Sequence, residues 1–254
     1  MRAKYRDGAN RRDVDLLISD LTGQSVAWVV AHGDESIDEA RLEPLLQRRL
    51  TGEPLQYIRG RTEFFGHEFY VDDRVLIPRP ETELLVEAAI ARAPRGASVV
   101  DIGTGSGCIA VSLQRARPDL RVVATDVSIG ALAVARRNGA NALVASDVLA
   151  AIRGAFDLIV ANPPYIVAAE VEQLQTEVRD YEPRVALTPG PRGTEIIERI
   201  LQQAGNAMVM MEMAMDQESA VRALAAANRF QVDDVLADLA GIPRVVILSA
   251  DGRR

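Results

Sequence analysis

The sequence has few of the residues and runs that indicate a membrane protein, a disulfide framework or a structural metal site. Its one cysteine, Cys108, allows no internal disulfide, which is consistent with a reducing cytoplasm. With only His32, His67 and Cys108 as soft ligands, the chain has no plausible zinc ligand set, and we expect no metal. No run approaches the roughly eighteen consecutive apolar residues that a spanning helix needs. Residues 1–15 lack the apolar core of a signal peptide. These absences predict a cytoplasmic protein with no membrane association.

Long runs of positive charge are also missing. The formal net charge is −7 and the pI is near 5.0. Basic residues occur in runs no longer than the pairs Arg11-Arg12, Arg48-Arg49, Arg136-Arg137 and Arg253-Arg254. Nonspecific nucleic-acid binding depends on a basic surface that neutralises phosphates. We therefore expect no direct nucleic-acid partner.

The first sixty or so residues of this 254-residue chain carry helical signals and no convincing strand. Short helices are expected over residues 14–21 and 24–31. Ser36 and Glu39 have the spacing of a capping box. Pro44 predicts that the next helix starts or kinks near it, because proline has no backbone N–H.

From Glu63 to Ile77 the pattern changes to one typical of a β-hairpin, with aromatic and β-branched residues around Gly66 and a pair of aspartates. A helix is expected to follow over residues 81–91. We therefore divide the chain into three parts: a small N-terminal helical domain (1–62), a β-hairpin linker (63–80) and an α/β domain (81–254).

Strands and helices alternate through the third part, as they do in a doubly wound sheet. Strands are expected over residues 98–102, 121–125, 143–145, 156–161, 207–213, 231–235 and 244–248. Helices are expected over residues 107–117, 129–138, 194–204 and 216–228. No helix-length segment separates the last two strands, so they should pair antiparallel. Five parallel strands closed by an antiparallel pair are typical of the seven-stranded, Rossmann-like sheet of class I methyltransferases.

A glycine-rich turn, Asp101–Ala110, follows the first of these strands and predicts a nucleotide site. Its spacing also satisfies the dinucleotide fingerprint, with Asp126 about twenty residues on to accept ribose hydroxyls. However, Asp101 precedes the glycines, where a carboxylate would repel a pyrophosphate but could hold an ammonium group. The turn alone is compatible with NAD as the cofactor, but Asp101 argues against NAD.

Asn162-Pro163-Pro164-Tyr165 comes directly after the predicted strand over residues 156–161. The strand must stop there, because proline fixes φ and the residue before it is forced into an extended conformation. The resulting corner holds an amide, free carbonyl groups and an aromatic ring, which together suit a planar NH₂ group. It predicts the substrate clamp of an amino- or amide-methylating enzyme.

Four segments in this order closely resemble the bacterial peptide chain release factor N5-glutamine methyltransferases, from about residue 51 to the end. They are Leu76–Glu83, Asp101–Ala110, Asn162–Tyr165 and Glu177–Arg184. The resemblance implies transfer of a methyl group from S-adenosylmethionine to the glutamine side chain in the Gly-Gly-Gln motif of class I release factors. It also implies that the N-terminal helical domain helps to recognise the release factor.

The resemblance implies a role for each matching residue. The residues expected to hold the cofactor's methionine and ribose are Asp101, Gly103, Thr104, Gly105, Ser106 and Gly107. Asp126 is expected to bind the ribose hydroxyls, and Asp147 and Val148 to flank the adenine, although Val148 also fits plain packing at a strand end. The residues expected to carry out catalysis and to form the glutamine pocket are Asn162, Pro163, Pro164 and Tyr165. Asn162 is also expected to contact the cofactor. The residues expected to cover the transfer site are Arg79, Pro80 and Thr82.

Three other functions share parts of this pattern. A ribosomal-protein glutamine methyltransferase has a similar hairpin and corner but typically lacks the Arg-Pro-Glu-Thr-Glu stretch. An adenine-N6 nucleic-acid methyltransferase uses the same kind of clamp, but must flip a base and grip phosphates. A cofactor-binding remnant without activity would be favoured by loss of Asp101 or Asn162, and both are present.

Overall fold

The computed structural model describes residues 10–33 and 38–252. Its N-terminal part is a group of short helices: α1 (Arg11–Thr22), α2 (Val26–Ala31), α3 (Glu39–Leu50) and α4 (Leu55–Arg59). The side chains of Asn10 and Ser25 accept backbone N–H groups at the starts of α1 and α2. These helices share a core of their own, formed by Val14, Leu17, Ile18, Val29, Leu42 and Leu46.

Pro44 lies inside α3, so of the two outcomes predicted for it a helix start is wrong, whereas a kink stays a prediction. Its ring removes only the bond to the carbonyl of Ala40. Leu42 and Leu46, one turn apart, are both buried against α1 and α2. Burying two leucines contributes about 3–6 kcal/mol, which offsets the lost hydrogen bond. Ser36, of the predicted capping box, lies outside the described residues.

The predicted hairpin is present but shorter than expected. Strands β1 (Arg61–Phe64) and β2 (His67–Tyr70) pair antiparallel around Phe65 and Gly66, whose φ values of 51° and 71° match a type I′ turn. The prediction that strand structure continues to Ile77 is wrong. Asp72 ends it: its carboxylate accepts the backbone N–H of Arg74 at 3.1 Å, and its carbonyl accepts that of Val75.

Seven strands form the main sheet. They are β3 (Ser98–Ile102), β4 (Arg121–Asp126), β5 (Ala142–Ala145), β6 (Leu158–Ala161), β7 (Met208–Glu212), β8 (Phe230–Ala237) and β9 (Pro243–Ala250). The order is β5-β4-β3-β6-β7-β9-β8, with β3 to β7 parallel and β9 antiparallel to both neighbours. The predicted α/β fold with a class I methyltransferase sheet is confirmed.

Helices cover both faces of this sheet. They are α5 (Glu83–Arg92), α6 (Cys108–Ala116), α7 (Ile129–Arg137), α10 (Glu195–Gln203) and α11 (Glu218–Ala227). Two shorter helices, α8 (Thr176–Tyr181) and α9 (Arg184–Leu187), lie in the segment between β6 and α10. Val99 packs in the cluster that contains α5 and α6, and Val100 in the cluster that contains α10 and α11. Both are fully buried, so β3 is covered on both faces, and its successive residues Val99 and Val100 are both apolar. Within residues 10–33 and 38–252, no helix is both long and apolar enough to cross a membrane.

Candidate active site

A cleft opens at the carboxyl ends of the parallel strands, where ligands bind in open α/β sheets. It has a volume of about 780 Å³, including its open mouth. The predicted site residues that line it are Gly103, Gly105, Asp126, Asp147, Val148, Asn162 and Pro164. The topology therefore brings the ends of β3, β4, β5 and β6 to one cleft.

The glycine turn between β3 and α6 is shaped by backbone geometry that L side chains rarely adopt. Gly103, Gly105 and Gly107 have φ values of 70°, 54° and 81°. At Gly107 a Cβ would also come within 3.0 Å of the Cβ of Ala135, so α6 and α7 pack too closely for a side chain. At Gly103 and Gly105 the space is open, because these two residues face the cleft.

Asp126 at the end of β4 connects this turn to the cleft. Its Oδ2 accepts the backbone N–H of Gly105 at 2.9 Å, and its Oδ1 accepts that of Ser128 at 2.8 Å. Burial raises the pKa of Asp126, against the lowering effect of these bonds. The carboxylate is thus fixed in direction at the cleft wall, an arrangement suited to a pair of hydroxyl donors.

Asp101 lies beneath the turn, away from the cleft wall. It is fully buried, and its Oδ2 accepts the hydroxyl of Thr104 at 2.6 Å and the backbone N–H of Ala110 at 3.2 Å. Among the described residues its Oδ1 has no partner. Burial raises the pKa of Asp101 to about 7. Thr104 and Ser106 are buried as well, and none of these three residues lines the cleft.

Asp147 and Val148 follow β5 and line the same cleft. Val148 has a φ of 55°, which is costly for a β-branched residue and is typical of functional sites. Asp147 pairs with Arg199 on α10 at 2.6 Å, which fixes this loop to the helix layer.

The Asn-Pro-Pro-Tyr corner leaves the sheet at the end of β6. Asn162 lines the cleft, and its Nδ2 donates to the Thr82 hydroxyl at 3.0 Å. Pro163 is buried, whereas Pro164 faces the cleft. The Tyr165 hydroxyl donates to Glu212 Oε1 at 3.3 Å, and burial together with the nearby carboxylate raises the pKa of Tyr165.

The three residues expected to cover the transfer site lie in different places. Thr82 is buried behind Asn162 and donates to Glu212 Oε2 at 2.7 Å. Arg79 donates to Glu182 Oε1 at 2.6 Å. Pro80 begins a single 3₁₀ turn before α5 and lines a separate surface groove beside the β8–β9 loop.

Sequence reasoning did not assign several residues of the cleft. They are Arg74, Val75, Leu76, Ile102, Val127, Ser128, Pro183, Val185, Ala186 and Ile196. Most are apolar side chains, in loops and in β3, α9 and α10, for which the sequence offers no local signal. Leu76, Ile102 and Pro183 lie in the resembling segments, but they were given no role there. The buried carboxylates Glu182 and Glu212 were also not assigned.

Comparison with known proteins agrees with this geometry. Residues 80–180 match the model of the methyltransferase small domain, and residues 3–60 match that of the PrmC N-terminal domain. The release factor glutamine methyltransferase of Neisseria gonorrhoeae is 42% identical over 236 residues, which cover 85% of this chain and 84% of that protein. That of Geobacter sulfurreducens is 40% identical over 250 residues, covering 93% and 88%.

The chain belongs to the release factor glutamine methyltransferase family. The family and enzyme class predicted from the sequence are confirmed, and the resemblance extends into the N-terminal helices as well. Among solved structures, the Mtq2–Trm112 complex of E. cuniculi matches with a TM-score of 0.54 at 23% identity, covering 70% of this chain and 99% of that one. At that identity the match supports the methyltransferase fold.

Proposed function

We propose that this methyltransferase transfers a methyl group from S-adenosylmethionine to the side-chain amide nitrogen, N5, of the glutamine in the Gly-Gly-Gln motif of class I peptide chain release factors. The observation that supports the proposal is the hydrogen bonding of the Asn162 side chain at the cleft wall. Its Nδ2 is engaged by Thr82. The amide oxygen is therefore the group left to accept a hydrogen from a planar NH₂ group.

The cleft fits the cofactor. Gly103 and Gly105 leave open space where side chains would project, and Asp126 presents a fixed carboxylate to a ribose. Asp147 and Val148 form the adenine end, and Asp101, with its unpartnered Oδ1, supports the turn near the methionine end. When bound, S-adenosylmethionine supplies an activated methyl group on a sulfonium, so the protein has to supply only binding and alignment.

The acceptor is a poor nucleophile, because the amide nitrogen lone pair is delocalised into the carbonyl. Asn162 Oδ1 and the Pro163 carbonyl accept its two hydrogens, and Tyr165 packs on the amide plane. This clamp holds the nitrogen in line with the methyl group, and the extra proton of the product goes to solvent. Alignment of this kind can supply up to about 7–11 kcal/mol of a barrier.

We also propose that residues 1–62 recognise the release factor, that 63–80 link the two folded parts, and that 81–254 carry out transfer. The separate core of the N-terminal helices supports this division. The N-terminal part contacts residues 176–181 beside the cleft through Arg49 with Glu177 at 2.5 Å, and through the Tyr181 hydroxyl with the Thr51 carbonyl at 2.9 Å. Since release factors act on ribosomes, we place the reaction in the cytoplasm.

The direct test is transfer of label from S-adenosylmethionine to a purified class I release factor. A release factor with Gly-Gly-Ala in place of Gly-Gly-Gln and a purified ribosomal protein serve as comparison substrates. Label on the first substrate alone supports the proposal. Label on the ribosomal protein alone, or equal label on the Gly-Gly-Ala variant, contradicts it.

A further inference from the structure

One buried carboxylate connects the two ends of the Asn-Pro-Pro-Tyr corner. Because β6 and β7 pair in parallel, Asn162 follows one strand as Glu212 ends the other. Glu212 is only 2% exposed. It accepts the hydroxyl of Thr82 at 2.7 Å and that of Tyr165 at 3.3 Å.

The hydrogen bonds that join Asn162 to Thr82 and Thr82 to Glu212 have a fixed order of donor and acceptor. An ionised carboxylate accepts hydrogen bonds and donates none. The single hydroxyl hydrogen of Thr82 must therefore go to Glu212. The Thr82 oxygen is then left to accept, and it accepts from Asn162 Nδ2 at 3.0 Å. In the flipped amide, the Asn162 oxygen and the Glu212 carboxylate would compete for one hydrogen.

We propose that Glu212, acting through Thr82, is a positioning residue that holds the Asn162 amide with its oxygen toward the methyl acceptor. This inference rests on the proposed function, in which that oxygen accepts an N–H of the substrate glutamine. It adds a role for a carboxylate that does not line the cleft. It also explains why Thr82 lies behind Asn162 instead of above the transfer site.

The charges around Glu212 decide the pH range in which Glu212 is ionised and orients the Asn162 amide. Burial raises the pKa of Glu212, the hydrogen bonds from Thr82 and Tyr165 and the charge of Arg244 lower it, and Glu81 raises it. Once protonated, Glu212 can donate to Thr82, which can then donate to the Asn162 oxygen. The direction of the hydrogen bonds is then no longer fixed, so the preference for one amide orientation is lost at low pH.

The kinetic test uses Glu212→Gln and Thr82→Val, which keep approximate shape, and Thr82→Ser, which keeps the hydroxyl. We expect Glu212→Gln and Thr82→Val to lower kcat at least about tenfold, with the cofactor Kd changed less than about twofold. Thr82→Ser should recover most of the lost turnover. The matched control is Glu81→Gln, which removes an exposed charge that acts on Glu212 and should leave kcat nearly unchanged.

Three results would overturn the inference: near-normal kcat in both Glu212→Gln and Thr82→Val, a Thr82→Ser enzyme as slow as Thr82→Val, or a loss in Glu81→Gln equal to that in Glu212→Gln. Thermal melting of each variant checks the fold. If Glu212→Gln melts so early that its kcat cannot be measured, Thr82→Val and Thr82→Ser decide the question alone.

A second readout does not depend on the release factor. The side-chain NH₂ resonance of Asn162 can be assigned in ¹⁵N-labelled enzyme by its absence from Asn162→Ala. We expect it to shift as Glu212 titrates in the wild type, and not to shift over that range in Glu212→Gln or Thr82→Val. The same titration in all three proteins would refute the positioning role. If the wild type transfers no label to the release factor while this pattern holds, the proposed function fails and the positioning of Asn162 stands.

Discussion

Replacing Arg79 with alanine should leave the carboxylate of Glu182 buried without its cation. The Glu182 side chain is 1% exposed, its Oε1 lies 2.6 Å from Arg79 Nη2, and its Oε2 has no partner among the described residues. Breaking a buried pair costs about 3–5 kcal/mol. Because the Arg79 side chain is 33% exposed, water screens the pair, and we expect Arg79→Ala to lower the free energy of unfolding by about 2–3 kcal/mol.

The loss of stability should depend on pH. Burial raises the pKa of Glu182, while the charge and hydrogen bond of Arg79 lower it. Removing Arg79 raises the folded-state pKa further above its value in the unfolded chain. A carboxyl group with a raised folded-state pKa destabilises the fold as pH rises past the unfolded value. The difference between wild type and Arg79→Ala should therefore be largest at and above neutral pH, and should shrink in acid, where Glu182 is buried as a neutral acid.

The assay is urea unfolding at several pH values. The double variant Arg79→Ala/Glu182→Gln should regain most of the lost stability, because it buries no charge. Arg192→Ala is the matched control: its partner Glu198 is 2.8 Å away, but Arg192 itself is 59% exposed. Its cost should stay below about 1 kcal/mol. A deficit for Arg79→Ala that is constant across pH, or that Glu182→Gln does not relieve, would refute the reasoning.

Three further predictions concern the cleft itself. Gly107→Ala should lower stability by at least about 1–3 kcal/mol, because its φ is 81° and its Cβ would meet Ala135 at 3.0 Å; a melting temperature equal to that of the wild type would contradict this. Asp126→Ala should weaken cofactor affinity about 10- to 100-fold, since hydrogen bonds to a charged group contribute about 1.5–3 kcal/mol; unchanged affinity by calorimetry would move the ribose site elsewhere. Asn162→Ala should bind the cofactor nearly normally and lose at least about 2–3 kcal/mol of transition-state stabilisation; near-normal turnover in single-turnover kinetics would exclude the clamp.

The centre of the main sheet could be predicted from the sequence because β3, β6 and β7 are buried on both faces. The β3 prediction, residues 98–102, matches the structure to the residue, and the helices predicted after β3 and β4 agree to within a residue at either end. Glycine and proline mark the ends of these elements, so local pattern and tertiary structure agree there.

Short elements were missed because they have too few residues to show a period. Helices α4, α8 and α9 contain five, six and four residues. Strand structure was expected up to Ile77, where the apolar residues Val71, Val75 and Ile77 instead pack around Tyr57. In this segment the apolar pattern correctly predicts that the side chains are buried, but it wrongly predicts a strand.

The cleft was partly predictable for a related reason. Residues at the ends of parallel strands, such as Asp126 and Asn162, can be placed from topology alone. Thr82 and Glu212 are 130 positions apart in the sequence, and no local pattern relates them. Their contact exists only because α5 begins beside the end of β7.

The most direct test of the central claim is to locate the methyl group on the product. A class I release factor is incubated with this enzyme and S-adenosylmethionine, digested, and the peptides are fragmented in a mass spectrometer. The account predicts one added methyl group, on the side-chain nitrogen of the glutamine in Gly-Gly-Gln. A methyl group on any other residue, or an unmodified glutamine beside a methylated ribosomal protein, would contradict it.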